Sequence, residues 1–189
     1  MSDYTQEKIL KHLHWFWPNH TIEVFRWEHG PVLELVDTFR VGRISPRSAD
    51  EPWIYISLNA SELRGAHDST EFVILSPIED MIHIETLAVT AFYNVSYPLT
   101  LGKVIDVGKP WLQNSRMHHF LVSLPYPYGP AFEWCTLSDT EKVRFLWLLP
   151  VTEEEADFAK AYGVEALERR FDQEEINAVD PERQSVTAN

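Results

Sequence analysis

The chain has 189 residues, 29 of them acidic and 16 basic, for a formal net charge of −13. That balance excludes the basic footprint of a nucleic-acid-binding protein. The single cysteine, Cys135, excludes an intrachain disulfide, and no stretch reaches the roughly 20 apolar residues of a membrane-spanning helix.

The N-terminus, MSDYTQEKIL, lacks the apolar core of a secretory signal, so the protein reads as cytoplasmic. Residues Tyr4 to Trp17 predict an amphipathic helix, with Ile9, Leu10, Leu13, Phe16 and Trp17 at helical spacing and Pro18 as the stop. Thr21 to Trp27 and Val32 to Val41 read as a hairpin around Glu28-His29-Gly30-Pro31. A polar loop over Gly42 to Pro52 leads to a strand at Trp53 to Leu58. A second loop, Asn59 to Ser69, leads to another strand at Glu71 to Leu75. Ser76-Pro77-Ile78-Glu79 has the form of a capping box and opens the longest predicted helix, Pro77 to Val95. Short strands follow at Lys103 to Val107, His118 to Leu124 and Phe132 to Leu137, with the rigid turn Pro125 to Pro130 before the last of these. The short loop Ser138 to Glu141 favours antiparallel pairing with the strand after it.

That strand belongs to the most informative stretch, Lys142 to Asp172. Val143 to Leu149 is an almost unbroken apolar run, suited to a strand buried on both faces and expected to end at Pro150. Thr152 and Glu155 form a capping box, with Glu153 and Glu154 in the first turn, where the helix dipole favours negative charge. Gly163 ends that helix with a left-handed cap, and a second acidic helix follows at about Val164 to Phe171. Residues Thr152 to Asn189 hold 11 acidic and 4 basic residues, a face that would steer a basic partner. We divide the chain into a single domain over residues 1–176 and a polar tail over 177–189, expected to fray.

No catalytic motif stands out. His83-Ile84-Glu85 matches the H-x-E of zinc deaminases, but one cysteine cannot supply their downstream P-C-x-x-C. His12 and His14 do not share a helical face, and His118 and His119 point to opposite faces of a strand, so neither pair chelates a metal. Glu153-Glu154-Glu155 is explained by helix capping. Cys135 reads as a buried strand residue, with a nucleophilic Cys–His pair as the alternative. We assign no catalytic residue, metal or cofactor.

VRFLWLLPVTEEEADFAKAYGVEALERRFD resembles the signature of the suppressor-of-fused domain family. EFVILSPIEDMIHIETLAVTAFY and HHFLVSLPYPYGP are similar to bacterial members, and the motifs fall in the family's order over about Thr21 to Val186. The resemblance implies an α+β fold, a mixed and largely antiparallel β-sheet flanked by helices. It also implies a non-enzymatic protein-binding module. Animal members hold a transcription factor between two domains, and this chain is too short for the second. Bacterial members are associated with toxin–immunity loci, which implies an inhibitory or immunity-like protein. Its partner would be a protein, a basic toxin domain being one form. The alternatives are an enzyme using Cys135 or a histidine in an unrecognised pocket, and a housekeeping adaptor without a toxin partner.

One family position carries over. A Gly-Asp pair that helps bind peptide in animal members corresponds to Gly102-Lys103, and the lysine argues against the animal ligand. We expect partner capture beside the strand Lys103 to Val107, with Ile105 at its centre, Tyr126 and Tyr128 as anchors and Trp111 adjoining them. Glu153, Glu154 and Asp157 supply the steering charge.

Overall fold

The computed structural model describes residues 2–63 and 69–187. Its strands are β1 (Ile22–Arg26), β2 (Arg40–Ile44), β3 (Trp53–Leu58), β4 (Thr70–Ser76), β5 (Val104–Asp106), β6 (Met117–Ser123), β7 (Trp134–Thr136) and β8 (Lys142–Thr152). Its helices are α1 (Ser2–Phe16), α2 (Val32–Leu35), α3 (Ile82–Ser96), α4 (Pro130–Glu133), α5 (Glu153–Tyr162) and α6 (Val164–Gln173). The strands pair in the order β1-β2-β3-β4-β8-β6-β5, with β7 also on β8. β4 and β8 run parallel, while β1–β2, β2–β3, β3–β4, β5–β6 and β7–β8 are antiparallel. The sheet is mixed and largely antiparallel, as expected.

The chain forms two compact units. The first contains Met1–Leu99 and Leu124–Trp147, the second Thr100–Ser123 and Leu148–Asn189. β8 runs from one into the other. Its apolar run leaves no polar side to face water, and every residue from Phe145 to Thr152 is buried.

In the first unit α1 buries Ile9 and Leu13, and Trp17 just past its end, at four-residue spacing. Around them Phe16, Trp17, Tyr128, Phe132 and Phe145 form an aromatic cluster, with the Phe132 and Phe145 rings stacked at 4.9 Å. α3 buries Ile84, Leu87, Ala88 and Ala91 and packs on β3 and β4. In the second unit α5 and α6 pack together, burying Ala156, Ala159, Leu167 and Phe171. The predicted capping box is present. The Thr152 hydroxyl accepts from the Glu155 amide at 3.3 Å, and the Thr152 amide donates to Glu155 Oε2 at 3.0 Å. Gly163 closes α5 at φ 89°, which a side chain would oppose, although its ψ of 153° is extended rather than left-handed helical.

Several elements differ from expectation. Val32–Leu35 is a helical turn rather than a strand, because Pro31 holds helical dihedrals and its carbonyl accepts from Glu34 N. The hairpin partner of β1 is instead Arg40–Ile44, part of which was expected as loop. Pro130–Glu133 is likewise helical, with Pro130 at the first position after Gly129 at φ 67°, so β7 begins only at Trp134. α3 starts at Ile82, and the Ser76–Glu79 box does not form. Glu79 is drawn to Arg43, the Ser76 hydroxyl donates to the Ile78 carbonyl, and Asp80 Oδ1 accepts from Ile82 N. α3 therefore has 15 residues, the same as α1. β8 continues through Pro150 to Thr152, since a proline removes only its own N–H. Of the loop expected at Asn59 to Ser69, Ala60–Leu63 is a 3-10 turn and residues 64–68 lie outside the described residues. The tail is tied down rather than frayed as far as Thr187, by bonds centred on Arg183.

Candidate partner-binding surface

β5 is the terminal strand of the sheet. Gly102 sets it up with φ 80°, its N–H donating to the Val122 carbonyl at 2.8 Å. Val122 N donates to Lys103 O at 2.8 Å, and Val107 N donates to His118 O at 3.1 Å. These bonds bracket β5, and antiparallel alternation turns the main-chain groups of Val104 and Asp106 away from β6. Ile105 points inward and is buried.

The sequence-predicted residues divide between the units. Gly102, Lys103, Ile105, Trp111, Glu153, Glu154 and Asp157 belong to the second, Tyr126 and Tyr128 to the first. Trp111 is only 2% exposed. Its indole N–H donates to Ser115 Oγ at 3.0 Å, so it packs the core instead of presenting a surface. Tyr128 is held by Trp17 and Phe132 at 5.1 and 5.4 Å, and burial pushes its phenol well above the usual value. Tyr126 is 59% exposed. Asp157 is exposed and pairs with Lys160 at 2.9 Å.

Glu153 and Glu154 meet the strand prediction in one place. They border a cavity of about 670 Å³ together with Asp106 of β5, Arg116, His118 and His119. The main-chain N–H of Glu154 itself, then the Thr152 hydroxyl, holds the Glu154 carboxyl below the usual range. Sequence reading missed this concavity. Asp106, Arg116, His118 and His119 converge through the β5–β6 pairing, and no local motif encodes that.

The enzyme alternative gains nothing from Cys135. It is buried, its thiol lies 3.8 Å from the Lys8 carbonyl, and burial pushes it up to about 11, far from a thiolate. His83 is buried against Tyr55 at 4.9 Å, and burial lowers its imidazole to about 4. Among the described residues no cluster of three or more His, Cys, Asp or Glu is arranged to hold a metal, and no helix is long and apolar enough to cross a membrane.

The sequence profile described as suppressor of fused protein (SUFU) matches residues 35–184. The chain belongs to the suppressor of fused family. A solved SUFU homolog from Neisseria gonorrhoeae FA 1090 is 39% identical, with 98% of each chain covered and a TM-score of 0.89. A chain of a solved Sufu–Fu complex has a TM-score of 0.66 at 16% identity, with 96% of this chain and 92% of that one covered. Drosophila Suppressor of Fused has a TM-score of 0.62 at 16% identity, and the match spans 51% of its length. These two more distant likenesses concern the fold alone. Comparison with the curated proteins gives no match.

Proposed function

We propose that the chain is a non-enzymatic module that binds and holds another protein, adding a strand of that partner to β5. The observation that carries this reading is the position of β5: terminal in the sheet, with Val104 and Asp106 main-chain groups turned outward beside an acid-edged cavity. Family membership supports it, since a relative of this fold is solved as a Sufu–Fu complex. The exposed carboxylates of Glu153, Glu154 and Asp157 favour a basic partner. A cytoplasmic immunity-like role, with a basic toxin domain as the molecule held, is the form we favour. Cys135 as a buried neutral thiol weighs against the enzyme alternative.

Hydrogen exchange with and without the bound partner tests the surface. Added protection is expected over Lys103–Val107. Protection confined to another face would reject β5 as the docking strand.

A further inference from the structure

Beyond α6, from Glu174 to Thr187, the only buried side chain is that of Arg183. Its guanidinium forms a two-pronged contact with the fully buried Glu155 carboxylate. Nη1 donates to Oε1 at 2.6 Å and Nη2 to Oε2 at 2.8 Å. Nη2 also donates to the Pro150 carbonyl at 3.0 Å, and the guanidinium carbon lies 5.3 Å from the centre of the Phe171 ring. Two main-chain amides complete the carboxylate shell, Thr152 N at 3.0 Å and Val186 N at 3.1 Å. A carboxylate fork, a carbonyl and an aromatic face together select a planar guanidinium over an ammonium.

The cavity left without arginine would hold a charged carboxylate stripped of water, so the site strongly favours being filled. Its present occupant fits imperfectly. Arg183 Nε is buried with no hydrogen-bond partner among the described residues, and no other buried side chain anchors the segment. The approach is acidic, with Glu153 and Glu154 exposed in the same first turn of α5.

We propose that Glu155, the Pro150 carbonyl and the Phe171 ring form an arginine socket. Arg183 fills it in cis, and an arginine of the protein partner takes its place when the tail is displaced. This rests on the reading of the chain as a module that holds a protein, and it names a side chain that the partner must offer.

The test uses the full chain carrying Arg183→Ala and a synthetic peptide copying residues 178–187, titrated by calorimetry. The same peptide with citrulline or lysine in place of its arginine is the control. The variant should bind the arginine peptide at least tenfold more tightly than either control. The wild-type chain should bind it measurably but at least tenfold more weakly than the variant, because its own tail competes. Equal binding of all three peptides, or wild-type binding as tight as the variant's, overturns the proposal. So does the absence of wild-type binding at a hundredfold the variant's Kd, since the tail would then never yield. If Arg183→Ala does not fold alone, it is refolded with each peptide present. Recovery with the arginine peptide only supports the socket; recovery with all or none overturns it. These readouts are independent of hydrogen exchange at β5, so a failed socket leaves the docking strand standing.

Discussion

Glu71 places a carboxylate where no water reaches it, held by the hydroxyls of Ser57 and Ser61 at 2.5 and 2.7 Å and by the amides of Ala60 and Ser61 at 3.1 and 3.0 Å. Those four donors favour the charged form, yet burial outweighs them and pushes the carboxyl up to about 7. The folded state therefore binds this proton more tightly than the unfolded chain. The stability it contributes is complete below pH about 4.5 and is lost as pH rises through about 7. Urea melts between pH 5 and 8 should show the wild type losing stability relative to Glu71→Gln as pH rises, by on the order of 3 kcal/mol in full. Parallel pH profiles for the two proteins would contradict this. Trp147 and Thr152 give a second comparison within β8. Trp147 is buried in the strand, so its replacement by Ala should cost roughly 3–5 kcal/mol, against about 1 kcal/mol for Thr152→Ala, which removes one cap bond. Denaturant melts that rank Thr152→Ala as the harsher change would refute this ordering.

At the scale of elements, what was legible is what is encoded locally. The capping box at Thr152 and Glu155 and the strand at Trp53–Leu58 each carry their own signal and form as read, and the apolar run of β8 forms the expected buried strand but continues past Pro150. One failure falls where a distant contact decides. Glu79 would have capped α3, but Arg43 on β2 claims it, and nothing near Ser76 announces that. Two elements bear on binding. Val104 turns its amide away from β6, so Val104→Pro should keep the β5–β6 bonds and the melting temperature while weakening partner binding at least tenfold. Ile105→Pro, on the bonded side, should destabilise the fold itself. Comparable melting temperatures for these two variants would show that the outward side of β5 is wrongly assigned. For α5, reversing Glu153, Glu154 and Asp157 to Lys should slow association and flatten its salt dependence. Stopped-flow association at low salt checks this, and an unchanged rate would remove steering from the account.

Over the whole molecule, the fold class could be read because ordered motifs span most of the chain, and the family match over residues 35–184 agrees. The candidate site was legible only in part. Glu153, Glu154 and the strand around Ile105 could be picked out, but not that Glu153, Glu154 and Asp106 share a cavity, nor that Trp111 is sealed inside the core. Least visible of all was the contact between Glu155 and Arg183, 28 residues apart, which has a consequence during synthesis. Translation at roughly 5–20 residues per second separates the two side chains by about 1–6 s. Through that interval the carboxylate has its cap but no counter-ion, and its burial carries the full desolvation cost. The first turn of α5 therefore completes its packing only after the tail has left the ribosome. A released chain cut before Arg183 should therefore be more protease-sensitive at α5 than the full chain.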